Sequence, residues 1–175
     1  FTTPLQGGFD GSDPSKIIKY GTSITAANFF GFDCSSVTAS GSQAFIQALN
    51  TVSSADQIDI NAIVTPGITL HQNQAIVTKG IEICEARKDC FYIIDMAQYG
   101  TSMDDILNST RLQNADSNYA GVYHPWIRIK DVNANRPVWV PASVGVAGVF
   151  AFSDTVGAEW DAPAGLTRGL ITAAT

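Results

Sequence analysis

Nine consecutive residues, Val144 to Phe152, are apolar or glycine, and Pro141 stands just ahead of them. Proline suits a first helical turn, where its missing N–H would have no partner anyway. The run is far shorter than the roughly 20 residues needed to cross a bilayer. A helix that is apolar all round is a buried one. The stretch therefore predicts a central helix packed inside the core of a water-soluble domain, entered through Trp139 and left through Ser153-Asp154. Gly145, Gly148 and Phe152 share one face, at i, i+3 and i+7. Two glycines there would let a neighbouring backbone come close, at about 1 kcal/mol each in helix propensity. Beyond this helix come Trp160 and Ala162-Pro163-Ala164-Gly165, a large apolar anchor and a rigid turn, then Arg168-Gly169. Trp160 is expected to pack on the sheet or on the central helix.

The rest of the chain supplies elements to surround such a helix. Phe45, Ile46, Leu49 and Val52 form one stripe of a helix over 42–54. Ile58, Ile60, Ala62 and Val64 alternate with mostly polar neighbours, which predicts a strand that Thr65-Pro66-Gly67 ends. Residues 71–87 are helical in pattern, with Val77, Ile81 and Cys84 on one face. Phe91 to Ile94 reads as a strand covered on both sides. Ser102 followed by Asp105 marks a helix start. Strands are expected at 119–123 and 126–130, with Pro125 marking an edge or bulge, and a loop at 133–136.

Alternating helices and strands predict an α/β fold, a single core domain whose largely parallel or mixed β-sheet is covered by helices. The 175 residues suit one domain, 1–175, with a loop-rich entry segment over 1–40 and the α/β core over 41–175. Within the entry, Leu5 to Asp13 is rich in turn residues, Ser15 to Tyr20 suits a short helix, and Phe29-Phe30-Gly31-Phe32 is an aromatic cluster read as core, with an intersubunit patch as the sharper alternative. The chain opens on Phe1 rather than Met and ends just after Leu170-Ile171, which reads as a fragment of a longer protein.

Charge narrows the partners. The net charge is -6 and no Lys/Arg run is present, so the basic footprint of a nucleic-acid binder is missing, and an anionic membrane surface would repel the chain. Only 15% of residues are charged against 45% hydrophobic, which fits a surface partly covered by something else. Cys34, Cys84 and Cys90 have neither disulfide-framework nor metal spacing and read as buried or half-buried thiols of a reducing compartment; His71 and His124 have no neighbouring ligand. No metal or cofactor motif is visible. Asp95, at a strand end, is the candidate for catalysis in a crevice with Pro66-Gly67 and Gly100-Thr101-Ser102. No second carboxylate, Lys or His stands at a recognisable spacing, and no phosphate loop or nucleophile elbow accompanies it. A capping role for Asp95 is therefore favoured over an enzyme. The mixed-charge run Glu82, Glu85, Arg87, Lys88 and Asp89 reads as a solvated helix end, with a subunit contact as the sharper alternative.

Trp139-Val-Pro-Ala-Ser143, Val146-Ala-Gly148, Ser153-Asp154 and Trp160-Asp-Ala-Pro-Ala-Gly-Leu-Thr-Arg-Gly169 stand in the order of a known pattern. The chain resembles the tail sheath proteins of contractile bacteriophage tails, although Phe152 stands where that family often has arginine. Leu5 to Gly11, Ile58 to Gly67, Arg87 to Ile94 and Tyr123 to Ile129 are also similar to sheath segments. On this resemblance Trp139, Pro141, Gly148, Asp154, Trp160, Pro163, Gly165, Arg168 and Gly169 are structural motif residues. The resemblance implies a non-enzymatic subunit that polymerises with copies of itself into a helical tube around the inner tail tube. It also implies baseplate and tail terminator proteins as partners, terminal arms that add strands to neighbouring subunits, assembly in the host cytoplasm and residence in the virion. Sheaths of type VI secretion and of tailocins are close cousins. An α/β enzyme using the Asp95 crevice and a plain adaptor domain are the alternatives.

Overall fold

The computed structural model describes residues 33–109, 115–131, 135–158, 160–171 and 174. The Gly-rich segment 5–13, the short helix expected at 15–20 and the aromatic cluster 29–32 lie outside the described residues.

Helix α1 spans Ser40–Thr51. Strand β1 follows at Ala62–Thr69, helix α2 at Gln74–Arg87 and strand β2 at Phe91–Asp95. A short helix α3, Met103–Leu107, precedes strand β3, Ala120–Tyr123. Strands β4, Ile127–Asp131, and β5, Arg136–Val140, lead to helix α4, Ala142–Val156, and the single turn α5, Gly165–Arg168. Strands β1, β2 and β3 form a parallel sheet in that order, and β4 and β5 form a separate antiparallel pair. The fold is thus mixed α/β, as the alternation of elements predicts.

Side chains alternate across a strand, so β2 sorts the layers. Tyr92 faces α2: a Cβ placed on Gly80 would lie 2.5 Å from its Cε1. Phe91 and Asp95 face the other way, where Phe91 stacks on Phe150 of α4 with ring centroids 5.7 Å apart. Helices therefore cover both faces of the sheet. The main core lies on the α2 side, where Ile76, Val77, Ile83, Cys84, Tyr92 and Ile94 are all buried. α1 packs on α2 and adds Leu49, Phe45 and Val52 to the same cluster.

Four expectations need correction. Thr65-Pro66-Gly67 does not end β1; the pairing with β2 shifts between Val64 and Thr69 and then resumes. β1 is an edge strand, where proline and a bulge are tolerated, and Gly67 takes φ +87° in that bulge. Ile68 and Leu70 beyond it are buried, which draws the chain back. The burial phase of β1 is also the reverse of the one expected. Ile63 and Thr65 point into the main core, while Ala62 and Val64 are exposed; Ile60, ahead of the strand, packs against the core as expected. Third, Arg136–Val140 is a strand rather than a loop end and lead-in; it pairs with β4 from Ile127↔Val140 to Asp131↔Arg136.

The fourth correction concerns α4. Of its residues only Ala142, Ser143 and Ser153 are buried. Three strands about 5 Å apart make a narrow support, and a 15-residue helix runs about 22 Å. Among the described residues the sheet has no fourth strand to cover its outer side. α4 is a lid on the thinner side of the domain, with an apolar stripe facing out. No helix among the described residues is long and apolar enough to cross a membrane.

Candidate functional site

Asp95 ends β2 and is 3% exposed. Its Oδ1 accepts from the backbone N–H of Ser143 at 2.8 Å, and its Oδ2 from the Ser143 hydroxyl at 2.7 Å. Pro141 is the N-cap of α4 and has no side chain able to bond the free N–H groups of the first turn. Asp95 does so from the sheet, and its negative charge meets the positive end of the helix dipole. The other members of the proposed crevice do not converge on the carboxylate. Pro66 and Gly67 are exposed in the β1 bulge, and Ser102 caps α3 by accepting from the Asp105 N–H at 3.2 Å. The favoured reading of Asp95 as a capping residue is what the geometry shows, and Ser143 is the partner that sequence inspection missed.

The segment after α4 is a closed turn. Asp161 Oδ2 accepts from the Ala158 N–H and from Arg168 Nη1, each at 3.2 Å. Arg168 Nε donates to the Ala162 carbonyl at 3.2 Å, and the Gly169 N–H to the Gly165 carbonyl at 2.9 Å. A Cβ at Gly169 would sit 2.9 Å from Ala164 Cα, so only glycine lets these two backbone stretches touch. Gly165 takes φ +76° at the start of α5. The sequence elements Pro163, Gly165, Arg168 and Gly169 thus meet in one small structure, with Pro163 half-buried inside it.

Trp160 does not anchor that turn. Its side chain is 86% exposed, and Leu166 on the same turn is 87% exposed. The backbone network closes without them and turns both side chains to the outside. Along α4 the exposed residues Val144, Gly148, Phe152 and Val156 follow one another every four positions, and so share a face. Nothing approaches within 4 Å of where a Gly148 Cβ would be, whereas at Gly145 the Cδ1 atoms of Ile127 and Ile171 would come to 2.5 and 3.0 Å. The close approach expected at both glycines occurs at Gly145 alone, and through side chains rather than backbone. Asp154 is exposed beside this stripe.

Trp139 lies apart from the turn. It is half exposed on β5 and packs on Tyr99, with centroids 5.1 Å apart; Tyr99 also meets Trp126 edge-on at 6.0 Å. Trp126 Nε1 donates to the Ala97 carbonyl at 2.8 Å, which fixes this aromatic group to the end of β2.

Arg87 departs from the solvated helix end that the charge run predicts. Its side chain is 1% exposed. Nη1 donates to the Val52 carbonyl and Nη2 to the Ile58 carbonyl, both at 2.8 Å, while Nε and Nη2 grip Asp89 at 2.9 and 2.8 Å. The guanidinium holds the Asp89 carboxyl below its ordinary range. Lys79 and Glu82 pair at 3.6 Å in the way a solvated helix face would. An open groove between α1 and α2, lined by Cys34, Ser42, Ile46, Asn73, Ile76 and Lys79, lies on the α2 side of the molecule. Among the described residues no cluster of three or more His, Cys, Asp or Glu could hold a metal ion.

Neither the protein-family models nor the curated proteins compared with this chain yield a match.

Proposed function

We propose that this chain is the core domain of a contractile tail sheath subunit, a structural protein that polymerises with its own copies into a helical tube around an inner tail tube. Contraction would then move these domains as rigid bodies and drive the tube through the host envelope. The energy would come from better packing between copies.

The observation that carries this reading is the turn 157–169. Its backbone closes on Asp161, Arg168 and Gly169, and it holds Trp160 and Leu166 out to solvent, while α4, which the turn packs against, carries an exposed apolar stripe of its own. An exposed apolar patch of this kind marks a contact surface. A subunit that must meet its neighbours in two arrangements needs such a surface on a rigid support. The order of the motif elements, and the meeting of Pro163, Gly165, Arg168 and Gly169 in one turn, support the same reading.

Magnitudes decide how strong one such contact is. Burying a Leu or Phe side chain contributes about 1.5–3 kcal/mol. Association itself costs at least about 4 kcal/mol. That cost runs to about 15 kcal/mol, comparable with the whole patch, so one patch binds weakly, and arms that link many contacts raise avidity by roughly 10²–10⁴.

Sedimentation and electron microscopy test this on the chain alone and on a version extended by the terminal arms of a sheath subunit. The chain alone is expected to stay monomeric at micromolar concentration and the extended protein to form tubes or long polymers. An extended protein that remains monomeric under all conditions overturns the sheath reading.

A further inference from the structure

Two thiols in the core are placed for chemistry that the assembly reading does not use. Cys84 sits in the last turn of α2 and Cys90 just before β2. The chain reverses between them through Lys88, whose φ of 64° is left-handed, and the Cys90 thiol donates to Cys84 Sγ at 3.4 Å. Both are buried, whereas Cys34 is partly exposed at the α1–α2 groove, with its thiol beside Ser42. A disulfide has its sulfurs about 2.05 Å apart, so the pair must close by about 1.4 Å.

We propose that Cys84 and Cys90 form a redox-sensitive pair, which a peroxide converts into a disulfide joining the end of α2 to the start of β2. Burial pushes the Cys84 thiol up to about 12, so Cys84 is a poor first nucleophile. Cys90 reacts first. Its thiolate attacks one peroxide oxygen, the O–O bond breaks, and the departing hydroxide takes up a proton to leave as water. Cys90 is then a sulfenic acid. Cys84 Sγ attacks Cys90 Sγ, the S–O bond breaks as the S–S bond forms, and the Cys84 proton leaves with the hydroxide as a second water. Two thiols and one peroxide give one disulfide and two waters. The second step is fast because its partners are already in contact. The product staples the turn that also carries Arg87 and Asp89, and so stiffens the junction that ties α1 to the sheet.

The sequence makes the test direct, because Arg87 and Lys88 both lie between the two cysteines. The folded protein is treated with iodoacetamide to block Cys34, then with hydrogen peroxide, then unfolded, alkylated and digested with trypsin without reductant. Peptide 80–87 joined to peptide 89–111, and separated by reductant, is the expected species. Cys84→Ala and Cys90→Ala should each abolish it. Recovery of Cys84 and Cys90 on unlinked peptides, whether reduced, over-oxidised or already alkylated in the folded protein, overturns the proposal.

Discussion

Both carboxylate oxygens of Asp95 accept hydrogen bonds from Ser143, one from its backbone N–H and one from its hydroxyl. The pair is 48 residues apart in sequence and joins the end of the central strand to the first turn of α4. Losing it leaves buried donors without partners, which costs about 1–3 kcal/mol for a neutral group and more for a charged one. Asp95→Ala should therefore destabilise the domain by at least about 2 kcal/mol. Ser143→Ala, which keeps the backbone donor, should cost about 1 kcal/mol. Asp95→Asn should fall between them. Urea midpoints would check the order, and an Asp95→Ala protein as stable as the parent would show that α4 does not depend on this cap.

What was legible in the sequence had local causes. α2 and β2 follow from periodicity within their own residues, and the α3 start from Ser102 and Asp105. What was not legible depended on the number of layers. The apolar composition of α4 says that its side chains avoid water, but not that a three-strand sheet supports only one side of it. Trp160 looked like an anchor because large aromatic rings are usually covered; the turn closes instead on backbone groups and the Asp161–Arg168 pair. β5 escaped notice because Pro137 cannot donate to a ladder and the strand is paired on one side by β4. Asp95 revealed its type of role, capping, but the partner could only come from the tertiary structure.

Gly80 sets helix propensity against packing. Alanine in a helix interior is favoured over glycine by about 1 kcal/mol. Yet a Cβ at Gly80 would lie 2.5 Å from Tyr92 Cε1, and Tyr92 is fully buried with its hydroxyl 2.8 Å from Thr65 Oγ1. Overpacking of this kind costs about 1–3 kcal/mol, and a ring pinned by a hydrogen bond yields little. Gly80→Ala should therefore lower the thermal midpoint despite its better propensity. A raised midpoint would mean that the ring moves freely.

Arg87 gives stability a particular acid dependence. Its hydrogen bonds lower the folded-state pKa of Asp89 below the ordinary value of 3.8. A depressed carboxylate contributes stability that is fully present above its unfolded pKa and is lost as pH falls through the folded one. The contribution should therefore persist at neutral pH and fade below about pH 4. Arg87→Ala should lower stability at pH 7, since it also strips donors from the Val52 and Ile58 carbonyls, and should flatten the decline below pH 4. Denaturant midpoints from pH 2 to 7 for the two proteins would show it. Parallel curves would mean that Asp89 titrates alike in the folded and unfolded chains.

Trp160 and Gly169 belong to one turn but should respond to substitution in opposite ways. Trp160 is almost fully exposed, so Trp160→Ser removes little from the folded domain. Surface changes of this kind usually stay within about 0.5 kcal/mol. A buried tryptophan would instead cost about 3–5 kcal/mol on truncation. Gly169 makes no outward contact, yet any Cβ there would press on Ala164 Cα at 2.9 Å and on the Gly165 carbonyl oxygen at 3.0 Å. Backbone atoms cannot swing aside as a side chain can, so Gly169→Ala should open the turn and break the Gly169–Gly165 hydrogen bond. Faster hydrogen exchange over 158–169 is expected in that variant, with exchange over β2 unchanged. In polymers of the arm-extended protein, Trp160→Ser should weaken assembly while the monomer melts as the parent does. A Trp160→Ser monomer with a clearly lower midpoint would place the ring in the core; normal melting with unchanged assembly would remove Trp160 from the contact surface.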